Sequence, residues 1–250
     1  MQLPWLDPGD PLPDAALAWG ESDPVPGLLA AGGRLDVASL LQAYGNGIFP
    51  WFSEGQPILW WSPDPRMVLQ TAAFKLHRSL RKTVVAFRAS SRCEIRFDNA
   101  FETVISACSQ APRVGQSGTW ILPEMVAAYI ALHRAGHAHS VETWIDGELA
   151  GGLYCVAIGR AVFGESMFTR RPDASKIALG ALVAFCRRHG IEMIDCQQKT
   201  SHLASLGASE MPRERFVSHV AHARLESSPQ WRFEPLYWSE LLSAQSSTPT

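Results

Sequence analysis

The pattern of hydrophobic and polar positions changes from irregular to periodic near residue 63. The first part is rich in Pro, Gly and Asp and contains one amphipathic stretch, 37–44, which Asp36 would cap as a helix. The following segment, 45–66, is too apolar for a solvated linker and too rich in Pro and Gly for one regular element. We therefore predict a small N-terminal domain over residues 1–62, beginning with an irregular arm.

From residue 63 onward, alternation predicts strands and a 3.6-residue repeat predicts helices. The expected strands are 93–97, 139–145, 148–158, 161–168 and 191–197, and the expected helices are 99–108, 123–136, 174–190 and 213–225. Asp98 is the expected cap of the first of these helices, and Asp146-Gly147 is a hairpin turn signal.

This order of elements is similar to that of GCN5-related acyltransferases, in which two central strands splay and open a cleft. The predicted fold class is therefore α/β (α+β), with a mixed, mostly antiparallel sheet flanked by helices. We expect the acyltransferase-like catalytic domain to span residues 63–240 and a disordered tail to span 241–250.

Composition and net charge limit the classes of protein to which the chain can belong. With 250 residues, 46% of them hydrophobic, the chain can bury a sizeable core, and a net charge of −2 means that a nucleic acid would need a local basic patch. The five cysteines form no CxxC pair, which favours reduced thiols in a cytoplasmic protein over disulfides or a zinc site. We expect no signal peptide and no membrane segment, because the longest apolar stretch is about half a bilayer span.

An unusual polar pair ends the apolar strand 191–197. Side chains alternate along a strand, so Asp195 and Gln197 should point one way and Cys196 the other. The pair is either a polar cap of the next segment or a catalytic unit, and alternation alone leaves both open.

The expected cofactor loop of an acetyltransferase is missing. Such an enzyme would bind the coenzyme A pyrophosphate on a Gly-rich turn before its long helix, where free backbone amides hold anions. The corresponding segment here, "FTRRPDASK", contains no glycine. We therefore expect no coenzyme A, and because His137 and His139 lack a third ligand at fixed spacing, we expect no metal.

Short segments in a fixed order carry a more specific resemblance. They are "GIFPWF", "WWSPDPR", "GTWI", "GHAHSVE", "GESMF", "ASK", "IDCQ" and "SLGA". Over roughly residues 27–217 the chain resembles leucyl/phenylalanyl-tRNA–protein transferases. The resemblance implies a bacterial enzyme that takes leucine or phenylalanine from Leu-tRNA or Phe-tRNA. It would attach the amino acid to proteins with an N-terminal Arg or Lys, marking them for degradation.

The resemblance also favours a catalytic role for the strand-end pair. Aminolysis of an ester needs the amine held close to the carbonyl and the developing oxyanion stabilised. In this interpretation Asp195 orients and polarises Gln197, and Gln197 accepts an N–H from the attacking amine. By the same resemblance, Trp51 and Trp120 are assigned to the terminal adenosine of the tRNA, although a Trp is more often a core residue.

The remaining predicted site residues each have a structural alternative. Met167 and Ile194 are core residues by default and candidates for the apolar Leu/Phe pocket. By alternation Glu165 should share the side of Met167. Glu165 is a candidate to attract the cationic N-terminus of the acceptor, or else a buried partner of an Arg. The basic residues Arg78, Arg81 and Lys82 share one helix face, which either is solvated or contacts tRNA phosphates.

Two rival functions from other classes are a coenzyme A-dependent N-acetyltransferase and a non-catalytic module that recognises basic N-termini. The missing glycine loop argues against the first, and the second needs neither the Trp pair nor Asp195 and Gln197.

Overall fold

The computed structural model describes residues 2–111 and 121–243. Within them, the strands form a four-stranded sheet in the N-terminal part and a seven-stranded sheet in the rest of the chain. The strands are β1 (Trp5–Leu6), β2 (Leu28–Gly32), β3 (Phe49–Pro50), β4 (Leu59–Trp61), β5 (Arg66–Gln70), β6 (Cys93–Phe97), β7 (Ala138–Ile145), β8 (Glu148–Ile158), β9 (Ala161–Thr169), β10 (Met193–Gln197) and β11 (Ser209–Met211).

Helices cover both faces of the larger sheet. They are α1 (Val37–Tyr44), α2 (Arg78–Ala89), α3 (Phe101–Gln110), α4 (Pro123–Arg134), α5 (Ala174–Arg188), α6 (Ser201–Ser205), α7 (Arg213–Ala223) and α8 (Ser239–Leu242). The predicted mixed α/β class, with a smaller N-terminal part and a larger C-terminal part, is confirmed.

The larger sheet has the strand order β11-β5-β10-β9-β8-β7-β6, and its pairs are antiparallel except for the central pair β10–β9. The smaller sheet has the order β1-β2-β4-β3, with β1 parallel to β2. The one parallel pair described in the larger sheet is therefore at its centre, where the predicted cleft would open.

Two apolar clusters hold the layers together. The first cluster lies between one face of the larger sheet and the N-terminal sheet with α1, α3, α4 and α7. The second cluster lies on the opposite face, under α2, α5 and α8. The residues of α5 from Ile177 to Cys186 are buried, which explains why this helix has the most continuous apolar run of the chain.

Local signals fix several boundaries as predicted. Asp36 caps α1 by accepting a 2.8 Å hydrogen bond from the backbone N–H of Ser39. Pro123 opens α4, where its missing N–H is harmless. Asp146 and Gly147 both have positive φ, as the tight turn between β7 and β8 requires.

Two predictions are wrong. Asp98 does not cap α3; it accepts hydrogen bonds from the Ser140 N–H and from His139, while Glu142 binds the Ala100 N–H before that helix. The tail does not begin at residue 241, because Leu241 is 2% exposed and belongs to α8 in the second cluster. Apolar burial there outweighs the polar composition of the residues that follow.

Candidate active site

The two central strands separate at the point where the polar residues occur. The parallel ladder between β9 and β10 contains the pairs Ile194–Val162 and Asp195–Phe163 and then stops. Each strand also carries a bulge there: Glu165 is the extra residue of β9 against β8, and Cys196 is the extra residue of β10 against β5. Bulges re-aim side chains and end regular pairing, so β9 and β10 part beyond these pairs. We call the space between their ends the cleft.

Glu165 and Gln197 meet across this cleft. The side-chain nitrogen of Gln197 donates a 2.8 Å hydrogen bond to Oε1 of Glu165. Gln197 has a φ of 62°, a left-handed conformation that is uncommon for a residue other than Gly. Its carboxamide oxygen accepts no hydrogen bond from the described residues, so it can accept one from a substrate.

Asp195 lies beneath the pair as a buried anion. It is 1% exposed, and both of its oxygens accept from the fully buried guanidinium of Arg66, at 2.8 and 2.6 Å. Asp195 also accepts from the backbone N–H of Gln197 at 2.8 Å. As alternation predicts, Asp195 and Gln197 both turn to the side of the first cluster, and Cys196 packs against the second. The predicted contact of Asp195 with the Gln197 carboxamide is not made, because the carboxamide nitrogen binds Glu165. Asp195 fixes the Gln197 backbone instead.

Two tyrosines complete the environment of Glu165. The Tyr44 hydroxyl donates to Oε1 at 2.6 Å, and the Tyr129 hydroxyl donates to Oε2 at 3.2 Å. The two hydroxyls also contact each other. Tyr44 ends α1 and Tyr129 lies in α4, so helices from distant parts of the chain bring these donors to β9. Glu165 therefore binds two tyrosines and Gln197, and not an Arg as the alternative proposed.

One carboxyl group of the cleft has a pKa close to physiological pH. Burial raises the pKa of Glu165 to about 7; the Tyr44 hydrogen bond opposes this rise, and the negative charge of Asp195 adds to it. Burial and the adjacent carboxylate raise the pKa of both tyrosines well above the usual value, so they remain neutral donors. Glu165 can therefore change its protonation state at physiological pH.

Met167 and Ile194 lie on the other face of the sheet. Ile194 is 2% exposed in the second cluster, and Met167 is partly buried against the same cluster. Glu165 turns instead towards Tyr44 and Tyr129, which belong to the first cluster. The expectation that Glu165 shares the Met167 side is wrong, because one extra residue in β9 reverses the facing of every later side chain.

Three neighbouring Trp residues of the N-terminal part differ in burial, and two of them pack against each other. Trp60 and Trp61 are 1% and 7% exposed, in agreement with a packing role, whereas Trp51 is only partly buried. The Trp51 ring meets the Trp61 ring edge-on at 5.3 Å, and its carbonyl accepts from the Trp61 indole. Trp51 therefore keeps accessible surface on a fixed support. Trp120 lies outside the described residues.

The basic residues of α2 are not equivalent. Arg78 and Lys82 are exposed, one turn apart. Arg81 is partly buried and donates a 2.6 Å hydrogen bond to the carbonyl of Leu242. This bond attaches α2 to the end of α8 and leaves Arg81 less available to a tRNA phosphate than its two exposed neighbours.

Sequence reasoning missed three residues that the structure brings to the site: Arg66, Tyr44 and Tyr129. Arg66 stands inside the segment "WWSPDPR", where an isolated cation in an apolar strand was an available signal of a buried anion nearby. No local signal marks either tyrosine, because both lie in helices whose apolar faces account for them.

The site offers no set of metal ligands: among the described residues, no group of three or more His, Cys, Asp or Glu side chains could hold a metal ion. His139, a predicted non-ligand, binds Asp98 and stacks on Trp231. In the same part of the chain, no helix is long and apolar enough to cross a membrane.

Comparison with known proteins gives concordant matches. A family model described as leucyl/phenylalanyl-tRNA protein transferase matches residues 68–221, and a model of that family's N-terminal domain matches residues 33–64. A leucyl/phenylalanyl-tRNA–protein transferase of Polaromonas sp. is 63% identical over 98% of this chain and 96% of its own length. The same-named protein of Albidiferax ferrireducens is 61% identical, with the same coverage of both chains.

Among solved structures, a conserved protein of unknown function from Staphylococcus epidermidis covers 74% of this chain and 68% of its own, at 8% identity. Its TM-score of 0.35 is too low to support an argument about fold or function.

Proposed function

The chain belongs to the leucyl/phenylalanyl-tRNA–protein transferase family, and from this premise we propose how its cleft performs the transfer. It is an aminoacyltransferase that moves leucine or phenylalanine from a charged tRNA to a protein. We propose that the acceptors carry an N-terminal Arg or Lys, that the product is marked for degradation, and that the enzyme acts in the bacterial cytoplasm.

One observation carries the proposed site: the contact between Glu165 and Gln197 across the separated ends of β9 and β10. Because the carboxylate occupies the NH₂ end of the Gln197 side chain, the carboxamide oxygen is turned to the remaining space. A hydrogen-bond acceptor held in this way can orient the N–H of an attacking amine.

The reaction needs positioning more than a strong base. An α-amine has a pKa of about 8, so a useful neutral fraction is present near pH 7. The amine nitrogen bonds to the ester carbonyl carbon, the bond to the ribose oxygen breaks, and a proton passes from nitrogen to that oxygen. Holding amine and ester in a reactive geometry removes part of the barrier, and stabilising the developing oxyanion removes more.

We propose that Gln197 accepts the N–H of the amine and that Asp195 holds the Gln197 backbone. Glu165 keeps the carboxamide oriented and, when ionised, attracts the acceptor's cationic N-terminus. Tyr44 and Tyr129 stabilise the ionised form of Glu165, because each donates to one of its oxygens.

The donor is proposed to bind through its apolar side chain and its terminal base. Met167 lines the Leu/Phe pocket, and Ile194 supports it from the second cluster. Trp51 and Trp120 stack on the terminal adenosine, as single-stranded RNA ends commonly stack on aromatic rings. Arg78 and Lys82 contact phosphates, and neither a metal nor coenzyme A takes part.

The test supplies radiolabelled Leu-tRNA and a peptide that begins with Arg, and measures label in the peptide. We expect incorporation with N-terminal Arg or Lys, and little with N-terminal Ala. The matched control is the same Arg peptide with an acetylated N-terminus, which lacks the nucleophile.

Each rival predicts a different result in this assay. Incorporation from acetyl-coenzyme A instead of Leu-tRNA would identify an acetyltransferase. Binding of the Arg peptide without incorporation would identify a recognition module. Equal incorporation into Arg and Ala peptides would contradict the proposed acceptor specificity while leaving the transfer itself intact.

A further inference from the structure

Arg66 is the most completely enclosed cation of the described chain near the site. Its side chain is 0% exposed and forks onto both oxygens of Asp195. The guanidinium carbon lies 4.7 Å from the Phe49 ring centre and 4.5 Å from that of Phe216. Two aromatic faces therefore fix the plane in which it meets Asp195.

The third arm of Arg66 reaches the N-terminal part. Its Nη1 donates to the carbonyl of Gly47 at 3.2 Å. Gly47 has a φ of 74°, and a Cβ there would lie 2.9 Å from Val217, so this backbone has little room to move. Arg66 thus connects a rigid turn before β3 to the catalytic strand β10.

The contact continues into the cleft. Oδ1 of Asp195 accepts from both Arg66 and the Gln197 backbone N–H. That bond holds Gln197 in its left-handed conformation, and the Gln197 side chain then reaches Glu165. A displacement of Asp195 would therefore move the Gln197 backbone through this hydrogen bond, and the carboxamide would move with the backbone.

We propose that Arg66 is a positioning residue for aminoacyl transfer: its fork on Asp195 and its bond to Gly47 hold the Gln197 carboxamide in the reactive orientation. This proposal rests on the proposed function. Arg66 acts through Asp195 and contacts no reacting atom.

A purely structural ion pair would behave differently. Buried ion pairs carry a large desolvation cost, and a fold often tolerates their replacement by apolar side chains. A structural role predicts that turnover per folded molecule survives changes at residue 66. A positioning role predicts that turnover falls even where the fold is kept.

The charge of Arg66 gives a second, independent readout. Burial raises the pKa of Glu165, and the positive charge of Arg66 opposes that rise. If activity requires ionised Glu165, loss of this charge moves the acid limb of the pH–activity profile to higher pH. A change of packing alone would leave that limb in place.

The test compares Arg66→Lys and Arg66→Met with the wild type, using Leu-tRNA and an Arg-initiated peptide. Arg66→Lys keeps the charge but loses the planar fork, so we expect kcat to fall at least about tenfold, with both KM values within about twofold. Arg66→Met should show the same loss of kcat, and the acid limb of its pH–activity profile should move to higher pH. If Arg66→Met does not fold, Arg66→Lys alone decides the matter.

Arg187→Lys is the matched control. Arg187 is partly buried and, like Arg66, binds backbone carbonyls, those of Thr71 and Glu240, but it lies beside α8 away from the cleft. We expect Arg187→Lys to lower the melting temperature while keeping kcat.

The outcomes separate the proposals. Wild-type kcat in folded Arg66→Lys, or a loss that is explained wholly by the unfolded fraction, would overturn the role of Arg66 and leave the proposed function standing. Absence of transfer by the wild type itself would overturn the proposed function and this inference with it.

Discussion

At the scale of single residues, the cleft depends on a hydrogen-bond acceptor that is not itself a strong base. Gln197 can contribute only by position, since a carboxamide stays neutral throughout the accessible pH range. Its usefulness comes from neighbours: Glu165 takes its NH₂ group, and Asp195 holds its backbone. Removal of the side chain should therefore damage the chemical step more than binding.

Gln197→Ala is expected to lower kcat about a hundredfold, the usual effect of losing one well-placed hydrogen-bonding group in a transition state. The KM for Leu-tRNA should change little, because the donor is held elsewhere. Steady-state kinetics with Gln198→Ala, which removes the exposed neighbouring amide, provide the control. Near-normal kcat in a folded Gln197→Ala enzyme would show that this residue is structural.

Tyr44 should set the pH range of activity through Glu165. Its hydrogen bond lowers a pKa that burial has raised to about 7. Tyr44→Phe removes this donor, so the Glu165 pKa should rise by about one unit, given the roughly 1.4 kcal/mol that one pKa unit represents. Ionised Glu165 is needed, and its fraction at low pH becomes smaller in the variant.

The ratio of wild-type to Tyr44→Phe activity isolates this effect, because ionisation of the acceptor amine is common to both enzymes. We expect a ratio close to one at pH 9 and a rise to about tenfold at pH 6, the factor that one pKa unit gives. Tyr237→Phe, a buried tyrosine of the second cluster, should show a flat ratio. A flat ratio for Tyr44→Phe would mean that ionisation of Glu165 does not determine how activity changes with pH.

At the scale of elements, helices and hairpins were predictable because their signals are local. Asp36, Pro123 and the Asp146-Gly147 turn act within a few residues, and each does what its sequence context indicates. The bulges at Glu165 and Cys196 were not predictable from local sequence, because a bulge is defined by the register of the neighbouring strand. The wrong facing of Glu165 relative to Met167 follows from that missing information, whereas the contact of Asp195 with the Gln197 backbone depends on local geometry that alternation does not specify.

Close packing of β8 against α5 gives a matched pair of glycine predictions. A Cβ on Gly151 would lie 2.6 Å from the Ala174 Cβ and 3.0 Å from the Phe168 carbonyl oxygen. Gly151→Ala should therefore destabilise the protein by about 1–3 kcal/mol, the usual effect of overpacking. Because the clash involves backbone and the start of α5, side-chain rotation cannot relieve it.

Gly180→Ala is the counterpart within α5. The nearest atom to its added Cβ is 3.5 Å away, an ordinary contact, and Ala is favoured over Gly in a helix by up to about 1 kcal/mol. Urea unfolding should show a lower midpoint for Gly151→Ala and an equal or higher midpoint for Gly180→Ala. Opposite signs would mean that β8 and α5 are not packed as described.

At the scale of the whole molecule, the site is assembled from segments that are far apart in the chain. Tyr44, Arg66, Tyr129, Glu165 and Asp195 come from five separate elements. Their meeting requires the N-terminal sheet and α1 to pack on the first cluster beside β9. The resemblance of short segments indicated the catalytic strand, but only the tertiary packing identifies Arg66 and the tyrosines as its partners.

The net charge of the whole molecule affects how the enzyme binds tRNA. The chain has a net charge of −2, so nonspecific attraction to tRNA should be weak and most recognition should occur at the aminoacylated end. Arg78 and Lys82 form the exposed basic patch of α2, since Arg81 is bound to the Leu242 carbonyl. A contact to RNA by this pair would involve about two phosphates.

The Arg78→Glu, Lys82→Glu double variant should therefore bind tRNA more weakly at low salt. Its plot of log affinity against log salt should be shallower by about 1.4 to 1.8, because each released counterion contributes about 0.7 to 0.9 to the slope. Arg88→Glu, an exposed residue at the far end of the same helix, should leave the slope unchanged. Transfer from a minimal aminoacyl-adenosine donor should also be unchanged, because that donor has no phosphates to contact. An equal loss with the minimal donor would mean that the double variant disturbs the structure near α2 and that the assignment to tRNA is wrong. The nearest such contact is at the start of α2, where His77 binds the Ser205 carbonyl at the end of α6.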